Sequence, residues 1–500
     1  MVNGEVRLRY SGFIIFLTRL LSVGTGLAFS LMVTRTILPE TFGVYENMSD
    51  VLSYFTLAAG LFPFWATRFV ARNHAGSSLT AVIANLLVSL PSALVYLLML
   101  PAILANFNVA IDYFAVYAVA GAQIIEIYLV NAFEAIIYAK RPQALGFGFL
   151  FFEFIKVAFG YVLIIRLELG LLGAVASVIS AILIQLVYYL KLVLPELREE
   201  MKWAYVKEWL KGSLLNLYGI TGQRLASSIM LLLFVYGGQS ARAFYGAANR
   251  VASVVVYSSL LGYALYPRLL SENKPQDVDT SFRLVLMFTM PMTAGAIILA
   301  GSYLTILNVA YSVATPVLVL LALDALCQNL SSIFVTVVTG AEKFDVEAKI
   351  NYKDMIQSKL FLLLSLPFAQ AAAALPLAYF VLNSVTGNAV DAAAYIAAIA
   401  LAVDAGLVIV RYVIAKRSLG FTVSWAHASK YAGATALMAL FLYIIPQPTR
   451  LSTTVGVTLL GGCLYFLVLS VVDIETKNMI KSVFKELLRK RGILRVPRKK

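Results

Sequence analysis

Cysteine and histidine are nearly missing from this chain: there are two of each in 500 residues. Two cysteines, Cys327 and Cys463, cannot staple a disulfide scaffold. His74 and His427 are 353 positions apart and in no ligand spacing, so nothing supports a zinc or haem centre, and no metal or other cofactor is expected. Charge is scarce too. Only 13% of residues are Asp, Glu, Lys or Arg, about half the ~25% of an average soluble domain. A soluble enzyme of this length would lack the polar residues to cover its surface. With 31 Gly and 15 Pro the composition is neither collagenous nor low-complexity. What remains is apolar: 61% of residues are hydrophobic and the mean hydropathy is +0.84.

Those numbers predict an all-α integral membrane protein. A bilayer core about 30 Å thick takes roughly 20 apolar residues per helix. Fourteen transmembrane helices are predicted, near 10–34, 43–66, 79–103, 110–137, 143–165, 169–193, 213–236, 243–266, 284–306, 314–339, 359–384, 391–411, 430–446 and 452–473. Barrel strands would alternate in polarity over about 10 residues, and no such alternation occurs. The first run is too long for a cleavable signal peptide and reads as part of the fold.

The formal net charge is +14, and its distribution orients the helices. With both termini cytoplasmic, only Arg35, Arg166, Arg242 and Arg450 fall outside. Arg19, Lys156, Arg224 and Arg250 fall within spans, and every other Lys and Arg lies inside. This is the positive-inside pattern of a multi-pass protein of the cell membrane. It accounts for the basicity without nucleic-acid binding.

Two inside segments, 194–212 and 474–500, have amphipathic character and are predicted to lie on the membrane surface. In the first, Met201, Tyr205 and Trp209 form an apolar stripe. In the second, Ile480, Val483, Phe484, Leu487 and Leu488 lie opposite Lys477, Lys481 and Lys485. The predicted organisation is an N-terminal lobe over 1–193, a linker over 194–212, a C-terminal lobe over 213–411, two further helices over 412–473, and a basic tail over 474–500. The two six-helix lobes are pseudo-symmetric. A shift of 200 residues superposes Tyr45 on Tyr245, Val51 on Val251, Ser53 on Ser253, Leu61 on Leu261 and Arg68 on Arg268. Parallel repeats flanking a binding site are a transporter plan.

The segment Thr34-Arg35-Thr36-Ile37-Leu38-Pro39-Glu40-Thr41-Phe42-Gly43-Val44-Tyr45 resembles the first-loop pattern of flippases in the multidrug/oligosaccharidyl-lipid/polysaccharide (MOP) superfamily. It lacks the Gly usually found between Leu38 and Pro39. Thr67-Arg68-Phe69-Val70-Ala71-Arg72, Phe244-Tyr245-Gly246-Ala247-Ala248-Asn249-Arg250-Val251 and Tyr266-Pro267-Arg268-Leu269 are similar to further motifs of that group. The resemblance covers residues 10–72 and 213–272, and is nearest to the polysaccharide exporters (Wzx-type), with MurJ-type lipid II flippases close behind. It implies a two-lobed, non-enzymatic transporter. Its cargo would be a lipid-linked, diphosphate-bearing oligosaccharide moved from the cytoplasmic to the outer leaflet, with membrane lipids as its surroundings.

Intramembrane charges carry the functional reading. An Arg at mid-helix costs about 2.5–3.5 kcal/mol on insertion scales and should face water or a partner. Arg19, Arg224 and Arg250 are the candidate substrate-binding residues. Arg224 shares a face with Thr221 and Ser228, and Arg250 with Ser253 and Tyr257, while Arg19 lies one turn from Ser22. Guanidinium forks suit phosphate oxygens. The competing reading is that each Arg pairs with a buried carboxylate. Asp50, Glu126 and Glu134 are the candidates for taking a coupling H⁺ or Na⁺. Lys156 and Glu153, at i and i−3, are expected to neutralise each other. Pro63, Pro91 and Pro291 within spans are candidate kink sites. Two other functions stay open. One is a MATE-type exporter, usually of twelve helices, for which an Arg-lined cavity is unfavourable. The other is a membrane polymerase or glycosyltransferase, for which Asp277-Val278-Asp279 is the only Asp-x-Asp spacing; it reads as a solvated turn.

Overall fold

In a computed structural model, residues 22, 24–262, 275–341, 358–384, 387–423, 425–473 and 476–477 are described. Among them every regular element is helical. The helices are α1 (24–36), α2 (Pro39–Phe55), α3 (Leu61–Ala71), α4 (Ser77–Asn106), α5 (Phe114–Ala120), α6 (Ala122–Lys140), α7 (Gln143–Gly160) and α8 (Gly170–Val193). They continue as α9 (Trp203–Gly212), α10 (Leu214–Ser227), α11 (Ile229–Leu232), α12 (Gly238–Val256), α13 (Pro275–Ile298), α14 (Ala300–Leu307), α15 (Thr315–Ala341), α16 (Lys359–Ser384), α17 (Ala389–Leu419), α18 (Trp425–Ile444) and α19 (Leu451–Val472).

Among the described residues ten helical runs are long and apolar enough to cross a membrane. One of them, Leu214–Ser259, takes in two of the predicted spans and breaks at Gly238, whose φ of 87° and ψ of 173° only glycine adopts at little cost. The predicted span 10–34 lies mostly outside the described residues, as does the predicted tail over 474–500. The predicted span 43–66 is discontinuous: α2 stops at Phe55 and a 3₁₀ turn, Leu57–Gly60, precedes α3. The break frees the Phe55 carbonyl, which accepts hydrogen bonds from Ser92 Oγ (2.6 Å) and Tyr128 Oη (3.3 Å). In a membrane interior such a group must find a protein donor. Pro63 falls in the first turn of α3, where its missing N–H costs little.

The helices are inside-out relative to soluble ones. On α4 the buried positions include Ala81, Ala84, Asn85, Ser89, Tyr96 and Leu100, while Leu87, Leu90, Leu94, Leu97 and Leu98 are exposed. Small and polar residues let membrane helices approach and bond, and leucines meet lipid.

The chain forms two compact units, Met1–Arg250 with Leu307–Leu321 and Glu342–Leu407, and Val251–Ile306 with Ala322–Ala341 and Val408–Lys500. In the first, α6 is packed by α3, α4 and α8, with a core of Val51, Tyr96, Tyr117, Ile124 and Tyr128, and α10 packs on α16. Tyr205 and Trp209 of α9 are turned inward: Trp209 is fully buried against Phe62 and Phe69 with Tyr205 stacked beside it. The stripe predicted to face lipid thus docks α9 on the protein.

In the second unit α18 packs against α13 and α19. Tyr465 donates to the Met287 carbonyl at 2.7 Å. Asp277 and Asp279 stand in the first turns of α13 rather than in a solvated turn, and Asp279 pairs with Arg283 at 3.2 Å. A cavity of about 370 Å³ lies there, lined by Gln276, Asp279, Arg283 and Thr422 among others.

Candidate functional site

The most heavily charged interior of the first unit is where α2 meets the start of α12. Two glycines make the approach possible. A Cβ on Gly43 would lie 2.0 Å from the Gln239 carbonyl oxygen, and one on Gly246 would lie 2.9 Å from Glu46 Cγ. Across this contact Arg242 places Nε 2.7 Å and Nη2 3.0 Å from the two carboxylate oxygens of Asp50, a bidentate fork. Its Nη2 also reaches Glu46 Oε2 at 3.2 Å. The other oxygen of Glu46, Oε1, accepts from Arg250 Nη2 at 2.7 Å. Two carboxylates and two guanidiniums form one chain, Asp50–Arg242–Glu46–Arg250, with no net charge.

Neighbouring contacts extend the seam. Ser240 donates to Glu40 at 3.0 Å. Tyr311 sets its ring edge-on to Phe42 and Phe244, with centroids 6.0 and 6.3 Å away. Asn308 Nδ2 donates to the Thr34 carbonyl (3.0 Å), and Thr34 Oγ1 to the Leu307 carbonyl (3.2 Å).

Arg242 corrects the sequence reading. It was expected in an outside loop over 237–242. The turn is made at Gly238 alone, so Arg242 sits in the second turn of α12, only 5% exposed. A signal for it exists in the sequence. The 200-residue shift pairs Phe42, Glu46 and Asp50 with Arg242, Gly246 and Arg250. These are successive i, i+4 positions on one helical face, two of the three acidic in one repeat and two of the three basic in the other.

The other candidates are placed as follows. Arg19 lies outside the described residues. Arg250 is paired with Glu46, as the competing reading held, yet its side chain keeps 43% of its surface exposed. Arg224, half-buried on α10, forms no ion pair or side-chain hydrogen bond among the described residues. Its carbonyl accepts from Tyr54 of α2 (3.2 Å). Lys156 and Glu153 pair at 3.0 Å, as expected.

Of the three candidate coupling acids, Asp50 is held by Arg242. Glu134 accepts from Tyr189 (3.2 Å) and lies 3.5 Å from Gln185 Nε2. Glu126 is buried, and its Oε2 has no hydrogen-bond partner among the described residues. Glu126 and Glu134 are eight positions apart on α6, about 12 Å along its axis, so they do not form one site. Sequence reasoning missed two buried amides. Asn47 accepts from Tyr117 Oη at 2.9 Å, and Asn85 has neither amide atom hydrogen-bonded among the described residues. Among the described residues no group of three or more His, Cys, Asp or Glu could hold a metal ion.

No protein-family model and no curated protein matches the sequence. Solved structures do match in three dimensions. An inward-facing multidrug-resistance MATE family transporter of the MOP superfamily is similar at a TM-score of 0.59 and 14% identity, over 79% of this chain and 95% of that one. The lipid II flippase MurJ, in an inward closed conformation, is similar at 0.59 and 11% identity, over 96% of this chain and 100% of that one. A MOP superfamily transporter from Pyrococcus furiosus, described by a reversed polarity of its binding pocket, is similar at 0.52 and 14% identity, over 83% and 95%. The chain therefore has the fold of the MOP-superfamily transporters.

Proposed function

We propose that this protein is a flippase rather than an enzyme, carrying a lipid-linked oligosaccharide by its diphosphate from the cytoplasmic to the outer leaflet of the cell membrane. In this reading fourteen helices form two six-helix lobes, 1–193 and 213–411, with two further helices and a basic tail, and both termini are cytoplasmic. The observation that carries the reading is the state of the arginines. Arg242 is fully engaged by carboxylates, whereas Arg224, in a helix apolar enough to span, feels the charge of Asp50 but forms no ion pair in contact among the described residues. A cation kept in such a place at a cost of about 2.5–3.5 kcal/mol calls for an anionic ligand. Arg224 and half-exposed Arg250 are the phosphate-binding pair, with Arg19 as a third candidate.

The contact between α2 and α12 lies at the ends that the charge rule puts outside. It serves as an outer clamp, shut while the headgroup enters from the cytoplasm and parted when the headgroup leaves. A coupling proton or sodium ion is assigned to Asp50, Glu126 or Glu134.

The MATE-type reading is less well supported. The MATE likeness spans 79% of the chain and the MurJ likeness 96%, and an organic cation gains nothing from arginines. The test is reconstitution in proteoliposomes with a fluorescent lipid-linked diphosphate oligosaccharide, with and without a pH or Na⁺ gradient. Wild type should move the lipid, and Arg224→Ala should insert and fold but fail to move it. Export of an organic cation without any movement of diphosphate lipid overturns the proposal.

A further inference from the structure

Glu46 is shared between two guanidiniums that differ in what else they can do. Arg242 has its fork closed on Asp50 and is buried. Arg250 holds Glu46 Oε1 through Nη2 and still presents 43% of its side-chain surface. An incoming diphosphate can therefore reach Arg250 but not Arg242.

We infer, on the diphosphate reading above, that the diphosphate takes Arg250 in exchange for Glu46, and that Glu46 then accepts a proton. The chain Asp50–Arg242–Glu46–Arg250 is neutral while it is whole. Once Arg250 turns to phosphate oxygens, two carboxylates share one guanidinium, leaving one negative charge in excess in a poorly hydrated contact. Neutralisation by a proton is the general remedy for such a charge. The step balances simply: a proton from solvent forms an O–H bond on the Glu46 carboxylate, and no electrons move.

Among the described residues the titratable and charged groups around Glu46 offer no other compensation: Arg224, which acts on Asp50, is itself assigned to the diphosphate. From α2 the groups around Glu46 are Asp50 and Tyr45, from α12 Arg242, Arg250 and Tyr245, and from the turn before α15 Tyr311. The tyrosines are neutral near pH 7, and Arg242 is already committed to Asp50. A protonated Glu46 also loses its ionic hold on Arg242. The Arg242–Asp50 fork is then the ion pair of this chain that still joins α2 to α12, so headgroup binding loosens the clamp it must next open. Glu46 is a positioning residue in this scheme, and diphosphate binding draws one proton from solvent onto the protein.

The test is calorimetric titration of the full-length protein in non-ionic detergent with farnesyl diphosphate, at one neutral pH in two buffers of different ionisation enthalpy. Wild type should take up about one proton more per diphosphate than Glu46→Gln, because the ligand's own titration is common to both and cancels. Glu46→Gln should bind roughly ten-fold tighter, since the Glu46 carboxylate no longer competes for Arg250. Repeating the wild-type titration above the diphosphate's own ionisation gives the proton count without a variant. Equal proton counts in the two proteins, or none in wild type under those conditions, mean that Arg250 grips phosphate without leaving Glu46, and overturn the inference alone. No binding of farnesyl diphosphate by wild type overturns it together with the diphosphate reading.

Discussion

Replacing Arg242 with Met should be the most damaging single change at the α2–α12 contact. It removes the bidentate partner of Asp50 and one of two partners of Glu46, and leaves Glu46 on Arg250. Removing one member of a buried pair typically costs 3–5 kcal/mol. Two features set where this case falls. The Asp50 side chain retains 21% exposure, so water relieves part of the penalty. Asp50 can also escape by protonation, and raising a carboxyl from about 3.9 to 7 costs about 4 kcal/mol at 1.36 per unit, which caps the charge term. A loss of about 3 kcal/mol is expected, a shift of roughly 100-fold in the equilibrium of any state that needs the clamp shut.

The measurement is maleimide labelling of Ala243→Cys, a fully buried α12 position, in a chain whose Cys327 and Cys463 are replaced, alongside thermal unfolding. Labelling from the outside should accelerate, and the melting temperature should fall. Arg242→Met/Asp50→Leu should recover at least half of both effects, because swapping a whole buried pair for apolar residues is often neutral. An Arg242→Met protein that labels and melts like its parent would refute the clamp.

Gly43→Ala should destabilise by roughly 1–3 kcal/mol or more, because its Cβ meets a backbone carbonyl that cannot move aside. Its unfolding cost should be far from additive with that of Arg242→Met, since both act on one contact. Asp473 stands at the end of α19. Burial alone would raise its carboxyl, but hydrogen bonds from Thr476 and Lys430, with the charge of His427, hold it below the ordinary value. A depressed folded-state value means stabilisation that is complete above the unfolded value of about 3.9 and lost as pH falls through the lower folded one. Melting curves from pH 6 down to 3 should therefore show an acid limb that Asp473→Asn flattens; an unchanged limb removes Asp473 as its source.

The membrane class, most helices and the Lys156–Glu153 pair were legible because each depends on nearby residues. Hydropathy gives the helices, and i, i+3 spacing gives the pair. Three errors share one cause: local hydropathy reports neither backbone geometry nor the surface a helix packs on. Around the break, residues 54–66 are apolar but for Thr56, so nothing in the hydropathy marks the 3₁₀ turn at Leu57–Gly60. The segment 237–242 is polar enough to read as a loop, yet Gly238 turns the chain in one residue and returns Arg242 to a helix. The stripe of α9 is amphipathic whichever surface it meets, and Phe62 and Phe69 decide the matter from another helix.

The clamp was recoverable in a way that identities alone conceal. Under the 200-residue shift, matched pairs such as Tyr45 and Tyr245 mark what the repeats share. The clamp sits on mismatches: Glu46 opposite Gly246, and Asp50 equivalent to Arg250. Physics requires this. If both repeats kept the same charge on the face where their second helices meet, like charges would be buried together, which is among the costlier arrangements in a low dielectric. Related helices that bury a charged contact must therefore differ there, one acidic and one basic, with a small residue where the longer side chain needs room. Gly246 gives Glu46 that room, and Gly43 lets the α12 backbone approach closely enough for both carboxylates to reach Arg242.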